Sequence, residues 1–210
     1  MKTRDRILAQ SLELFNADGA PAVTTNAIAA ELGMSPGNLY YHFRNKQQII
    51  EQLLRRFDDV LAPFASAPES VHELDDLWLA LHLLFENVHA YRFVYRDSDY
   101  LMREFPPLAP RLQRMTLTQL ATLRLVYLGL AQRGVMRATD QEVELLALHT
   151  VLVITCWQSF ARLVLEPSQA VPGHQNDAGR AAYHVLTLLG PYLEPEARPY
   201  LVYLTHKYLK

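Results

Sequence analysis

The chain has 210 residues, a formal net charge of −2, half of its residues hydrophobic, and a single cysteine, Cys156. That length and apolar content support a buried core and exclude a wholly disordered chain, while the near-neutral charge offers no whole-chain attraction for nucleic acid. One cysteine excludes an intramolecular disulfide and fits a reducing cytoplasm; the N-terminus lacks an apolar signal core, and TVLVITCW (150–157) is too short to span a membrane.

The first predicted helix covers 3–17, where Ile7, Leu8, Leu12, Leu14 and Phe15 recur at helical spacing, and Gly19 is its stop. After Ala20 and Pro21, either Thr24 or Thr25 can cap a short helix carrying Ile28, Ala29 and Leu32, which Gly33 ends. Ser35 caps a third helix of about two turns, with Pro36 in a first-turn position that needs no N–H. Leu39 and Phe43 are its inward pair. From Lys46 a longer amphipathic helix carries Ile49, Ile50, Leu53, Leu54, Phe57, Val60 and Leu61, then fades into PFASAPES (63–70), which reads as a linker. Helical periodicity resumes over 71–91, 93–105, 108–133, 139–165, 177–190 and 196–208, with breaks at 106–110, near Gly134, at 166–177 and at 190–196. No stretch alternates with period two over a strand's length and no internal repeat is visible, so the predicted fold is all-α.

Two short helices joined through Gly33 form a helix-turn-helix, whose second helix enters the DNA major groove. With Leu39 and Phe43 inward, that helix presents Pro36, Gly37, Asn38, Tyr40, Tyr41 and Arg44. Gly37 permits close approach of backbone to a duplex, Asn38 can pair with a base edge, and tyrosine hydroxyls suit phosphates or bases. Thr25 and Lys46 flank the unit as phosphate clamps would, and the first helix adds Lys2, Arg4 and Arg6. The competing reading is a structural helical hairpin with amphipathic surface tyrosines. Residues 1–64 hold seven Lys/Arg and seven Asp/Glu, so electrostatic affinity must come from a few placed cations and from a second copy of the domain.

The pattern TR-x-x-IL…LF-x-x-x-G…TT-x-x-IA-x-x-LG-x-S-x-GNLYYHF-x-x-K, formed by Thr3 through Lys46, resembles the DNA-binding domain of the TetR family of transcriptional regulators. The resemblance implies DNA-contact roles for Thr25, Gly37, Asn38, Tyr40, Tyr41, His42 and Lys46, while Pro36 stands where other members carry a polar or basic residue. It suggests a helix-turn-helix domain at 1–46, a connecting helix and linker at 47–66, and an effector-binding and dimerisation domain at 67–210. MKTRDRIL, ELGMSPGNLYYHF and YRFVYRD further resemble the PhaD-type regulators of polyhydroxyalkanoate gene clusters. That likeness implies an effector derived from fatty-acid metabolism, of acyl-CoA type.

Residues 143–164 are apolar nearly all round, as in a helix buried on more than one side: a core helix, or one partly covered by another subunit. Residues 178–189 carry small side chains that allow close helix approach. The resemblance implies that these two helices form a four-helix dimer interface, and two-fold symmetry fits a palindromic operator. Trp78, His82, Phe85 and His89 fall on one helical stripe and, with Tyr127, Trp157 and Phe160, are the candidate effector-binding residues. Such a stripe is also what plain core looks like, although a buried imidazole needs a partner and could orient a ligand head group. His82, Glu86 and His89 make only a weak metal set, and no metal or other cofactor is expected. Arg92, Arg96 and Arg103 beside Asp97, Asp99 and Glu104 read as a solvated, ion-paired face, or as cations for an anionic effector. Cys156, inside the run TCW, reads as a buried structural thiol. No G-x-S-x-G, H-E-x-x-H, Walker loop or G-x-G-x-x-G is present, so no enzyme is expected. The expected protein is a cytoplasmic, homodimeric, non-membrane transcription factor bound to a double-stranded operator. It reads as a repressor released by a small apolar or amphipathic effector. The alternatives are an activator of a lipid or polyhydroxyalkanoate gene cluster, and an acyl- or lipid-binding protein with a vestigial helix-turn-helix.

Overall fold

The computed structural model describes residues 2–164 and 177–206; most of the predicted break at 166–177, and the end of the last predicted helix, lie outside the described residues. The described residues form helices α1 (Thr3–Asp18), α2 (Thr25–Glu31), α3 (Pro36–His42), α4 (Lys46–Leu61), α5 (Ala67–Ser70), α6 (Leu74–Ala90), α7 (Phe93–Arg96), α8 (Ser98–Glu104), α9 (Ala109–Gln132), α10 (Asp140–Val164), α11 (Asp177–Leu189) and α12 (Arg198–His206). Extended pairing among them is limited to one isolated bridge between Met136 and Leu193, so the fold is all-α. The chain divides into two compact units, Met1–Val60 with Ala90–Gln113 and Leu61–His89 with Arg114–Lys210.

In the first unit, local chemistry sets each helix boundary. Thr24, not Thr25, caps α2: its hydroxyl accepts from the Ala27 N–H at 3.1 Å. Ser35 caps α3 by accepting from the Asn38 N–H at 3.3 Å, and Pro36 fills the first turn. Asn45 caps α4 through its side-chain oxygen and the Gln48 N–H, 2.9 Å apart. Gly33 takes a left-handed φ of +62° between α2 and α3, where a side chain would strain the turn. Ile7, Leu8, Phe15, Ile28, Leu39, Phe43, Ile49, Ile50, Leu53 and Phe57 are completely or almost completely buried, and close the helix-turn-helix onto α1 and α4. Thr24→Ala is expected to cost about 1 kcal/mol of stability, readable by urea unfolding, because the first-turn Ala27 N–H loses its partner.

Two stretches differ from the sequence expectation. PFASAPES folds as a 3₁₀ turn at Ala62–Ser66 followed by α5, because Pro63 and Pro68 both fall in first-turn positions that lack no hydrogen bond. The single helix predicted over 93–105 is broken at Asp97, whose backbone (φ −106°, ψ 19°) leaves the helical region while its carboxylate bonds elsewhere. Segment 90–113 belongs to the first unit through ring contacts: Phe93 lies 5.3 Å from Phe15, and Tyr91 stacks on Phe57 at 5.0 Å.

In the second unit, α10 packs along α11 and α11 against α12. A reciprocal cap starts α10: the Glu142 carboxylate accepts from the Thr139 N–H at 2.7 Å, and the Thr139 hydroxyl from the Glu142 N–H at 3.3 Å. The Thr139 N–H and the Thr139 hydroxyl, both donating to the Glu142 carboxylate, hold that carboxyl below the usual range. One face of α10 carries Val143, Leu146, Thr150, Ile154, Trp157 and Ala161, all buried. The opposite face carries Leu145, Leu148, Leu152, Phe160 and Leu163, all exposed. Cys156 falls on that outward stripe and is exposed, which corrects the buried-thiol expectation: residues adjacent in an all-apolar run lie on opposite faces of the helix. By length and composition α10 could also cross a membrane, but that measure is met by the core helices of globular proteins too.

Candidate nucleic-acid interface

The candidate reading surface lies on α2 and α3. Leu39 and Phe43, both fully buried, anchor α3 from inside, so the intervening residues must point out. Gly37 and Asn38 are exposed in its first turn, and Tyr41 is 85% exposed. Tyr40, 44% exposed, reaches back across the turn, where its hydroxyl lies 3.1 Å from the Thr25 hydroxyl. That bond ties two of the DNA-contact candidates together before any duplex arrives. His42 is half-buried, and its ring sits edge-on to Tyr41 at 5.2 Å. Arg44 is exposed beyond the helix end, and its N–H donates to the Gln48 side chain at 2.9 Å. From α1, the Arg4 guanidinium lies 4.8 Å over the Phe43 ring and donates to Gln52 at 3.1 Å.

Lys46 stands apart from this surface. Its ammonium is turned inward, donating to the Ala20 carbonyl and, at 3.2 Å, to the Tyr100 hydroxyl. It also lies 5.2 Å from the Tyr100 ring centre and 5.7 Å from that of Phe15. Desolvation lowers the lysine pKa from its ordinary value, and the nearby Asp97 carboxylate opposes the shift.

The C-terminus of α1 is finished by residues far away in sequence, which the sequence reading did not find. The Arg96 guanidinium donates to the Phe15 carbonyl and, at 2.7 Å, to the Asn16 carbonyl. It is held by Asp97, whose carboxylate also accepts from the Ala20 N–H at 2.7 Å. The Asn16 side chain donates to the Ala90 carbonyl at 2.8 Å and accepts from the Phe93 N–H at 3.2 Å. The Arg96 and Asp97 side chains are only 5% and 9% exposed, which corrects the reading of this pair as a solvated face; Arg103 and Glu104 do form an exposed pair. An adjacent Arg-Asp inside an aromatic stretch was the available signal, since charges there need buried partners.

The effector candidates all lie in the second unit. Trp78 stacks on His82 with ring centres 5.5 Å apart, and Phe85 is buried on the same helix. His89 is half-buried one turn further on. Tyr127 is fully buried, its hydroxyl 2.9 Å from that of Thr150, and burial pushes its pKa far up. Trp157 is buried against the His184 ring at 4.9 Å, and desolvation lowers the His184 pKa. The Trp157 indole N–H has no hydrogen-bond partner among the described residues. Phe160, 52% exposed, lies on the outward face of α10. Among the described residues no group of three or more His, Cys, Asp and Glu side chains converges as a metal would require.

An N-terminal helix-turn-helix joined to a larger helical unit defines a class of bacterial regulators. The model for bacterial regulatory proteins of the tetR family matches residues 7–53, and that for the TetR bacterial transcriptional repressor matches residues 47–201. The chain belongs to the TetR family, whose members are transcriptional regulators rather than enzymes. It is 31% identical over 108 residues to the transcriptional repressor KstR2 of Mycolicibacterium smegmatis, covering 49% of this chain and 53% of that one. It is 30% identical over 110 residues to the class A tetracycline repressor from transposon 1721 in Escherichia coli, covering 51% and 48%. The chain thus spans about half the length of these curated relatives. Among solved structures, a TetR-family regulator from Marinobacter aquaeolei VT8 superposes with a TM-score of 0.86 at 37% identity, covering 99% of both chains. KstR2 of Mycobacterium tuberculosis shares the fold at a TM-score of 0.70 and 21% identity, covering 92% of this chain and 96% of that one.

Proposed function

We propose that this chain is a homodimeric, effector-responsive repressor that reads a two-fold symmetric operator through α3. The observation that carries the reading is the outward face of α3. Gly37, Asn38 and an 85% exposed Tyr41 stand on a helix locked from inside by Leu39 and Phe43. In this reading Asn38 and Tyr41 meet base edges or phosphates, Gly37 lets the backbone approach, and the Thr25–Tyr40 bond presents both hydroxyls to the backbone. His42 acts at the rim. The division of labour follows: 1–46 reads DNA, 47–66 connects, and 67–210 dimerises and takes the effector.

The outward apolar stripe of α10, with the exposed face of α11 beside it, is the surface that a second subunit covers. The effector is small and apolar or amphipathic. Support comes from the aromatic set Trp78, His82, Phe85, His89, Tyr127 and Trp157, and from the buried Trp157 N–H, which an acceptor on the effector would satisfy. Likeness of the YRFVYRD stretch to the PhaD-type subfamily favours an acyl-derived compound. The protein works in the cytoplasm, where the operator is.

Tyr41→Ala is the direct test. Binding to a duplex enriched from a random pool by the full chain, followed by fluorescence anisotropy, is expected to weaken by about ten- to a hundredfold per half-site. Urea unfolding is expected to be unchanged, because the side chain is exposed. Equal binding by Tyr41→Ala would remove α3 as the reading element.

A further inference from the structure

We infer that His149 and His184 make the subunit contact an acid-operated switch: protonating them charges an apolar face that a second copy covers, and the dimer parts. The inference rests on the dimer reading above and adds a signal, acidification, that needs no effector.

The outward stripe of α10 carries no fixed charge: residues 145–161 contain no Asp, Glu, Lys or Arg. His149 is exposed one turn beyond Leu145 and one turn before Leu152, so exposed leucines flank it along the helix face. His184 is exposed on α11, the helix packed along α10. Its ring lies 4.9 Å from that of Trp157, and Trp157 lies 6.1 Å from Phe160 of the same stripe. A subunit seated over Leu148, Leu152 and Phe160 therefore takes water from both imidazoles. Neither imidazole has a hydrogen-bond or ion-pair partner among the described residues. A neutral imidazole tolerates such a cover; an unpaired imidazolium does not.

The ionisable groups on the surrounding helices do not offset that cost. Asp140 and Glu142 lie in the first turn of α10, about two turns or more before His149, and Glu144 is ion-paired with Arg124 of α9. Cys156 shares the stripe and stays neutral in acid. Arg162 closes the uncharged run, and Arg180 stands one turn before His184 on α11, so both add positive charge. On α12, packed against α11, Arg198 donates to the Leu193 carbonyl and His206 bonds the Val202 carbonyl. A two-fold contact brings the same set from the second copy. Desolvation already lowers the His184 pKa within one subunit, and a covering subunit acts in the same direction. The sign of the linkage follows. The free subunit takes up protons more readily than the dimer, so the contact is at full strength above the ordinary imidazole range and weakens as pH falls through it. Since operator reading needs two copies, acid releases the operator without an effector.

The test is sedimentation of the full chain without DNA, which gives the dimer dissociation constant in steps from about pH 8 down to about pH 5. Far-UV circular dichroism on the same samples follows the helices. The wild type is expected to be a dimer at the upper end. By about pH 5.5 its dissociation constant is expected to rise by about a hundredfold or more with the helices kept, since each covered imidazole contributes up to about tenfold there. His149→Gln and His184→Gln are each expected to lessen the pH dependence, and the double variant to remove it. The readout is the change with pH, so a glutamine that merely packs less well lowers affinity equally at every pH. His149→Lys, which fixes the charge, is expected to be a folded monomer even at the upper end. A double variant that dissociates in acid as the wild type does would overturn the switch. A wild type that stays equally dimeric throughout, or that loses its helices before it dissociates, would overturn it as well. A wild type that is monomeric at every pH defeats the dimer reading itself, and the switch with it.

Discussion

Leu148→Glu and Leu152→Glu, singly or together, are expected to yield a folded monomer whose operator affinity has fallen by about three orders of magnitude or more. The reason lies in the two-sided character of α10. Its inner face is filled by its own unit, through residues such as Thr150, Ile154 and Trp157, so a glutamate on the outer face leaves the core intact. The outer face exposes Leu145, Leu148, Leu152, Phe160 and Leu163 in one stripe, the kind of contiguous apolar patch that marks an interaction surface. In the proposed dimer each subunit supplies one reading helix. With seven cations against seven acids in residues 1–64, a single copy has little general attraction for phosphate and falls into the non-specific range. Sedimentation reads the mass and anisotropy reads the affinity. Leu79→Glu, at an equally exposed leucine on α6, is the matched control and is expected to change neither. A dimer that survives the α10 substitutions would move the subunit contact elsewhere.

The second large effect concerns stability. Arg96→Met is expected to cost about 3–5 kcal/mol, because it strands a buried carboxylate and uncaps the end of α1. Arg103→Met, which breaks an exposed pair with partners 74% and 49% accessible, is expected to cost less than about 0.5 kcal/mol. Both are arginines next to an acid in the same segment, so burial alone separates them. Urea unfolding measures the difference. The double variant Arg96→Met, Asp97→Asn is expected to recover part of the loss, since it removes the stranded charge. Equal effects of Arg96→Met and Arg103→Met would show that the buried pair contributes nothing special.

Much of the reading head was legible because its signals are local. Ser35-Pro36, Gly33 and the Leu39–Phe43 pair each act within a few residues, and α3 begins, turns and buries where they direct. Periodicity also gave the all-α class and most helix limits. What it missed depends on partners distant in the chain. The break at Asp97 exists because its carboxylate is needed by the Ala20 N–H, 77 residues away in sequence. The inward turn of Lys46 depends on Tyr100, 54 residues away. Cys156 was misjudged for another reason. An apolar run suggests that both faces of a helix are covered, but does not say which residues meet the core and which stay exposed. The effector candidates rest on the same kind of signal, because an aromatic stripe looks alike in a core and in a pocket.

Sequencing the duplexes that the full chain enriches from a random pool tests the central claim most directly. A dimeric reader working through α3 is expected to enrich an inverted repeat, with half-site centres about one helical turn or a multiple apart. Tyr41→Ala is expected to lose that enrichment, and Leu148→Glu with it. An unenriched pool, or an asymmetric site held equally well by wild type and Tyr41→Ala, would contradict the account.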